Sequence, residues 1–208
     1  KLTSLVKPNS TPTKEKKNYT NQFKNIDFSS TKFLKGNADC VDIIRVKVAG
    51  SLSYDELMYE LKKRAKTIGG KDGIYHKNRT GSNCWLPHNQ SSTTNEVGKR
   101  IADLIGFPLK NAESFQIVHY SGGSEYNDHH DAFNGETEEG RKHLKRGGQR
   151  IYTAIAYLNE VEEGGATEFR DLNISVPPTK RSILVWKNVL PGTTKVHPLS
   201  LHAGRPVT

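Results

Sequence analysis

The pattern of apolar residues changes near residue 113, and this change constrains the fold more than any other feature of the chain. Upstream, apolar residues recur at helical spacing; downstream, short alternating segments are separated by turn residues. Helices followed by many short strands are typical of a sheet sandwich or barrel supported by N-terminal helices. We therefore predict a mainly β protein with N-terminal helices, of the α+β class.

Individual elements follow from local signals. Residues 41–48 alternate as a half-buried strand does, and a helix is expected after Ser53, ending at Gly69-Gly70. A second helix has capping-box spacing at Thr93 and Glu96 and ends near Gly106. Further strands are predicted at residues 114–120, 150–158, 166–169, 174–176 and 182–186, and residues 133–149 are predicted to form a mobile loop.

Charge divides the chain into two parts. The net charge is +9, of which residues 1–35, with eight lysines and two acidic residues, contribute +6. We interpret residues 1–35 as a basic, flexible N-terminal arm, without regular structure at least to residue 30, and residues 36–208 as the folded domain. The arm can bind anionic partners such as nucleic acid, or it is simply solvated. The domain's own charge gives no reason to expect nucleic-acid binding.

Composition leaves the compartment open. No signal peptide and no apolar stretch long enough to cross a membrane is visible, so no membrane partner is expected. Cys40 and Cys84 are the only cysteines and can form one disulfide or none.

One short motif carries metal chemistry. In Tyr126-Asn127-Asp128-His129-His130-Asp131, an extended backbone points His129 and Asp131 to the same side. An imidazole and a carboxylate with a second, distant histidine make the facial triad of non-haem Fe(II) oxygenases. A His-x-Asp triplet arises by chance in about one chain in three of this composition, so it needs support from other motifs.

That support comes from the order of four motifs. The His-x-Asp segment is followed by Tyr157-Leu158-Asn159, then Gly164-Gly165-Ala166-Thr167-Glu168-Phe169, and finally His202-Ala203-Gly204-Arg205-Pro206-Val207. In this order, the segment from about residue 113 to residue 208 resembles the prolyl 4-hydroxylase family of Fe(II)/2-oxoglutarate-dependent dioxygenases. The resemblance implies a double-stranded β-helix (jelly-roll) core and an iron held by His129, Asp131 and His202.

The resemblance also implies the cofactor site and the activity. Tyr120 and Tyr157 would line the 2-oxoglutarate pocket, and Thr153 shares a strand face with Tyr157, so we predict it there too. The implied reaction hydroxylates C4 of prolyl residues in proline-rich or collagen-like peptides while 2-oxoglutarate becomes succinate. Fe(II), 2-oxoglutarate and O₂ take part, with ascorbate as reductant. No catalytic residue is expected beyond the metal ligands.

Three residues are predicted at the peptide substrate. Arg150 corresponds to a family arginine that approaches the peptide, and Arg79 and Trp85 lie in a segment that can cover it. Solvent-exposed side chains without function are the alternative for all three.

Other activities remain open. A related oxygenase acting on lysyl residues or on methylated nucleic acid has only the basic arm in its favour. A non-catalytic jelly-roll module that retains a metal site is the alternative from another class.

Departures from the family pattern concern three positions. A lysine or arginine that binds the far carboxylate of 2-oxoglutarate is expected beyond Thr208, so the domain is expected to be truncated at its C-terminal end; otherwise Arg181 or Lys187 would have to replace it. Family members often have glycine near Arg181 and aspartate where His197 stands. His197, five residues before His202, is the rival metal ligand, but the family motif surrounds His202 and favours His202 instead.

Overall fold

The strands and helices of a computed structural model follow the change of pattern near residue 113. It describes residues 2–6, 26–33, 43–48 and 80–208, the first three segments as backbone only. In chain order the strands are β1 (Leu2–Val6), β2 (Ile26–Phe33), β3 (Ile43–Val48), β4 (Ser82–Leu86), β5 (Phe115–His119), β6 (Tyr126–His129), β7 (Gln149–Tyr157), β8 (Thr167–Phe169), β9 (Ile174–Val176), β10 (Ser182–Lys187) and β11 (His202–Gly204). Within the described residues the α-helices are α1 (Ser92–Ile105) and α2 (Glu138–Gly147).

Two antiparallel sheets form the centre of the molecule. The larger sheet has the order β1-β7-β10-β3-β2 and the smaller β6-β11-β8-β9, while β4 and β5 form a separate pair. The predicted strands agree with β3, β5, β7, β8, β9 and β10 to within two residues at each end. Mixed strands and helices in this arrangement confirm the coarse fold class.

The core has two parts because the side chains of β7 and β10 alternate. On one face, Tyr157 and Trp186 pack against Phe169 of the smaller sheet, with the rings of Phe169 and Trp186 5.3 Å apart. On the other face, Ala154 and Val185 pack against α1 and the β4-β5 pair. The larger sheet is therefore covered on both faces, and the space between the two sheets is where buried polar side chains also lie.

Helix α1 confirms the second predicted helix but begins earlier than its sequence signal indicated. Ser91 is the N-cap, and its side chain accepts from the backbone N–H of Thr94 while the Thr94 side chain accepts from the N–H of Ser91. Threonine at the third helical position thus does what glutamate does in the usual capping box. Gly106 ends the helix with a left-handed φ of 79°.

The prediction of a mobile loop at residues 133–149 is wrong, because most of that segment is helix α2. Thr137 caps it by accepting from the N–H of Gly140, acidic residues occupy its first turn and basic residues its last. Lys142 and Glu138 add an i,i+4 ion pair with 2.7 Å between Nζ and Oε1. Because most of its residues are charged, α2 has no clear apolar stripe. Without that stripe the sequence pattern predicts a loop.

The N-terminal segment also differs from expectation. Residues 1–30 were expected to lack regular structure, yet the backbones of β1 and part of β2 lie in the larger sheet, where β1 pairs with β7. The domain boundary at residue 36 stays a prediction. The helix expected after Ser53 lies outside the described residues. No helix in the described part of the chain is long and apolar enough to cross a membrane.

Candidate metal centre

Two histidines meet because two short strands pair. In the smaller sheet β6 and β11 are antiparallel neighbours, and His202 lies directly opposite His129. Residues paired in this way have side chains about 5 Å apart on one face. The two imidazole rings have their centroids 4.2 Å apart.

A carboxylate completes the group. Asp131 Oδ1 lies 3.6 Å from His129 Nε2, and Asp131 Oδ2 lies 3.7 Å from His202 Nε2. Metals of the first transition row bind nitrogen and oxygen at about 2.0–2.2 Å, so adjacent ligands of one ion lie about 3 Å apart. The three donor atoms lie within 4.8 Å of one another, so small movements of the side chains would bring them onto one ion.

Hydrogen bonds fix which nitrogen of each ring faces the centre. His129 Nδ1 lies 2.7 Å from the carbonyl oxygen of Asn127, and His202 Nδ1 lies 2.9 Å from that of Ser200. A carbonyl only accepts, so each Nδ1 carries the proton and each Nε2 presents a lone pair. His129 Nε2 is buried and has no hydrogen-bond partner within the described residues. A buried lone pair without a donor is what a metal ligand requires, and the donor set fits Fe(II).

The reason for the convergence differs from the one the sequence indicated. Strand β6 ends at His129, so Asp131 is not on the same extended strand. Its carboxylate instead accepts a hydrogen bond from the Thr153 hydroxyl on β7, with 2.6 Å between Thr153 Oγ1 and Asp131 Oδ2. Tertiary contact with the larger sheet therefore brings Asp131 to the two histidines.

The site is enclosed on one side and open on the other. The side chains of Asp131 and His202 are each 3% exposed, whereas His129 is 16% exposed. The ring of Tyr126 stacks on that of His129 with 3.6 Å between the ring centroids, and the ring of Trp186 contacts that of His202 edge to face with 4.6 Å between the centroids. Aromatic packing thus holds both imidazoles, and access is from the His129 side.

A cavity of about 490 Å³ adjoins the two histidines. The predicted pocket residues Tyr120 and Tyr157 both line it, and the Tyr157 hydroxyl donates to Thr167 Oγ1 at 2.8 Å. Thr153 is fully buried and is not among the described residues that line it. That Thr153 lines the 2-oxoglutarate pocket stays a prediction.

The cavity holds little positive charge. Of the described residues that line it, Arg205 is the one arginine, and no lysine is present. Arg205 is already bonded to Glu168 and lies 3.9 Å from Asp128. Arg181 and Lys187, the substitutes considered for binding the far carboxylate of 2-oxoglutarate, do not line the cavity.

The residues predicted at a peptide substrate lie in different settings. Arg150 is half-buried: its guanidinium forms a two-point pair with Glu113, with 2.6 Å between Nε and Oε1, and lies 4.5 Å from the Phe133 ring. Its Nη1 is also 3.4 Å from the carbonyl oxygen of Asp131. Trp85 on β4 is 49% exposed, and Arg79 lies outside the described residues.

Two other histidines near the site, His197 and His130, make hydrogen bonds to neighbouring residues. His197 is buried and caps the turn 198–200, where its Nδ1 accepts from the N–H of Leu199; it is not part of the metal group found within residues 80–208. His130 points away to Ser200 Oγ at 3.2 Å, and burial, with the neighbouring His129, lowers its pKa.

Sequence reasoning missed two buried polar residues, Gln149 and Asn188, and the partly buried Glu113. Gln149 bonds the backbone of Phe133 through both ends of its amide and also donates to the carbonyl of Thr194. Glu113 holds Arg150, and Asn188 donates to Thr153. No motif marks them. Gln149 is the first residue of the apolar strand β7, and Asn188 directly follows the apolar strand β10. A buried amide could have been expected at these two strand ends.

The last two sequence motifs meet across the smaller sheet. Gly165 donates to the carbonyl of Pro206 at 2.8 Å, and Arg205 donates to that of Ala166 at 2.8 Å. Gly164 has a φ of +77°, and a Cβ there would lie 2.1 Å from the Pro206 carbonyl oxygen. Glycine is therefore required at this turn, which positions β8 beside β11 and His202.

Comparison with known proteins places this site in a family. Residues 115–208 match the 2OG-Fe(II) oxygenase superfamily. Prolyl 4-hydroxylase 5 of Arabidopsis thaliana is 32% identical over 190 residues, covering 82% of this chain and 60% of the plant protein. Prolyl 4-hydroxylase subunit alpha-1 of Gallus gallus is 33% identical over 113 residues, covering 54% of this chain and 22% of the chicken protein.

Solved structures agree on the fold. A collagen prolyl hydroxylase from Paramecium Bursaria Chlorella virus-1, as a 2OG complex, has a TM-score of 0.62 at 21% identity, covering 80% of this chain and 88% of the viral one. A prolyl-4-hydroxylase from Pseudomonas putida has a TM-score of 0.52 at 17% identity, covering 74% of this chain and 78% of the bacterial one.

Residues 115–208 belong to the 2OG-Fe(II) oxygenase superfamily, and the curated relatives named above are prolyl 4-hydroxylases. The resemblance stated from the motifs is thereby confirmed. The chain spans about three fifths of the length of the plant relative.

Proposed function

We propose that this protein is an Fe(II)- and 2-oxoglutarate-dependent prolyl 4-hydroxylase. The observation that carries the proposal is the meeting of two imidazoles and one carboxylate beside a cavity, in a chain of the oxygenase superfamily. His129, Asp131 and His202 would hold the iron. When bound there, Fe(II) supplies O₂ activation coupled to the oxidative decarboxylation of 2-oxoglutarate to succinate.

The protein's own part is to bind, orient and exclude water. Tyr120 and Tyr157 would line the 2-oxoglutarate pocket, since both border the cavity shared with the two imidazoles. The buried Tyr157-to-Thr167 hydrogen bond keeps that wall fixed. Ascorbate is the proposed reductant.

The proposed substrate is a proline-rich or collagen-like peptide. Such peptides are already extended in the polyproline II form, which lowers the entropy lost on binding. Arg150 is held by Glu113 and lies near the backbone carbonyl of Asp131, and Trp85 offers an exposed aromatic surface on β4. Arg79 is proposed to contact the same peptide.

We further propose that the two facing sheets are the layers of a double-stranded β-helix. The packing of Phe169 against Trp186 and the short strands of both sheets support this architecture. The triad then lies at one end of the space between the layers, where a substrate can reach it.

The proposal is tested with the full chain, Fe(II), ascorbate and 2-oxoglutarate, in separate reactions with a proline-rich peptide, a lysine-containing peptide without proline, and methylated single-stranded DNA. We expect succinate release that depends on the proline-rich peptide. Mass spectrometry should find one added oxygen atom per modified proline, located by fragmentation. An Asp131→Asn variant is the control for contaminating activity.

Each other outcome points to a named alternative. Modification of lysine, or loss of the methyl group from DNA, would replace the proposed substrate. Metal binding without succinate in any reaction would mean a non-catalytic binding module.

A further inference from the structure

A chain of two hydrogen bonds runs from the larger sheet to the candidate metal centre. Asn188, just after β10, donates from Nδ2 to Thr153 Oγ1 at 2.9 Å. Thr153, on β7, donates from that hydroxyl to Asp131 Oδ2 at 2.6 Å. Asn188 and Thr153 are fully buried and Asp131 is 4% exposed, so water does not compete for these bonds.

The direction of the chain follows from the chemistry of its ends. An ionised carboxylate only accepts, so the single hydroxyl proton of Thr153 must go to Asp131. The hydroxyl oxygen then needs a donor, and the amide nitrogen of Asn188 supplies it. In the reverse amide orientation, two acceptors would compete for one proton, and the short bond to Asp131 would be lost.

Asn188 is itself fixed by the backbone. Its N–H donates to the carbonyl of Ile151 at 2.8 Å, and its own carbonyl accepts from the N–H of His197 at 2.9 Å. His197 precedes the turn 198–200, and this turn leads into His202. Asn188 therefore connects strand β7, whose Thr153 bonds Asp131, with the segment that precedes the last histidine.

We propose that Asn188 and Thr153 are positioning residues for the metal site, setting the orientation of the Asp131 carboxylate before a metal binds. The inference rests on the proposed function, because it assumes that Asp131 is a metal ligand. Removing a residue that hydrogen-bonds to a metal ligand typically lowers metal affinity about 10- to 100-fold.

The test measures binding of Co(II), a spectroscopic substitute for Fe(II), to the full chain by calorimetry and by its visible absorption. Thr153→Val keeps the shape but removes the hydroxyl, and we expect about 10- to 100-fold weaker binding with a changed absorption spectrum. Asn188→Leu leaves the hydroxyl without its donor and should weaken binding less. Thr153→Ser restores the hydroxyl and should bind within about threefold of the unaltered protein.

The control separates positioning from packing. Ser182 is a buried hydroxyl on β10 that donates to the carbonyl of Thr179, away from the metal centre. Ser182→Ala should lower the melting temperature without changing Co(II) affinity or spectrum.

The outcomes distinguish this inference from the proposed function. If the unaltered protein binds no Co(II), the metal site itself is wrong and the inference fails with it. If the unaltered protein binds Co(II) and folded Thr153→Val binds equally well, the positioning role alone is wrong. If Thr153→Val does not fold, the Co(II) affinities of Asn188→Leu and Thr153→Ser are compared instead. Weaker binding by Asn188→Leu supports the inference, and equal affinities overturn it.

Discussion

The two faces of β7 are held by different kinds of interaction. Toward the smaller sheet, Gln149, Thr153 and Tyr157 each make hydrogen bonds to specific partners. Toward α1, Ala154 packs with Leu86, Ile101 and Phe115 through apolar contact alone. The inner face thus depends on the identity of single atoms, and the outer face, around Ala154, on volume and apolar area. Changes to Asp131 and its partners on the inner face should alter chemistry, whereas changes in the cluster around Ala154 should alter stability.

The largest effect is expected from Asp131→Asn. The amide keeps the shape and can still accept from Thr153, but it lacks the charge that a metal ligand supplies. We expect divalent-metal affinity and succinate release to fall by more than about 100-fold, with little change in the unfolding free energy of the metal-free protein. Calorimetry and denaturant unfolding measure the two quantities. A large loss of stability with retained metal binding would contradict the contrast between the faces.

On the outer face, Leu86→Ala should do the opposite. Leu86 is 3% exposed in the cluster under α1, and its truncation leaves a cavity. The free energy of unfolding should fall by about 2–4 kcal/mol, while turnover per folded molecule stays the same. Leu86→Met is the matched control, since it conserves volume and should cost less than about 1.5 kcal/mol.

Gln149→Leu is expected to cost about 1–3 kcal/mol of stability, because it leaves backbone groups of Phe133 and the carbonyl of Thr194 without their partner. Denaturant unfolding measures the change. Gln90→Leu, at an exposed glutamine, should change stability by less than about 0.5 kcal/mol. Equal effects at both positions would mean that the buried amide contributes nothing specific.

A smaller change, of opposite sign, is expected at Arg181. This residue has a φ of 65°, in the left-handed region that favours glycine, next to the start of β10. Arg181→Gly should stabilise the protein by less than about 1 kcal/mol, since relief of the backbone conformation is partly offset by entropy in the unfolded chain. Asn173→Gly, at a φ of 52°, should gain less, because asparagine tolerates this conformation. Thermal unfolding compares the two.

The smallest effect concerns pH. Burial lowers the pKa of His88, with a backbone hydrogen bond at Glu113 acting in the opposite direction. A histidine with a lowered pKa in the folded state binds its proton more readily when unfolded, so its contribution to stability is complete above the ordinary value of 6.5 and is lost as pH falls below it. His88→Gln should therefore make unfolding free energy depend less on pH in that range. An unchanged pH dependence would exclude His88 as a source.

Local patterns in the sequence were enough for several elements, whereas the three predicted metal ligands came from the resemblance to a family. Alternation located β7 and β10, and a capping signal with Gly106 located α1 to within a turn. The motif around His202 distinguished it from His197, five positions earlier. Helix α2 was missed because its signals are charges and a cap, with few apolar residues to mark a buried side.

What the sequence determined by itself was chemistry: which imidazoles and which carboxylate are available, where glycine is obligatory, and which family motifs stand in order. Only the tertiary structure decided that His202 pairs with His129 across two strands more than seventy residues apart in sequence, and that Thr153 and Asn188 hold Asp131 between the sheets. The physical reason is that periodicity and capping signals report only on contacts between residues close together in the sequence. Contacts between sheets depend on how the whole chain packs, and no spacing along the sequence records them.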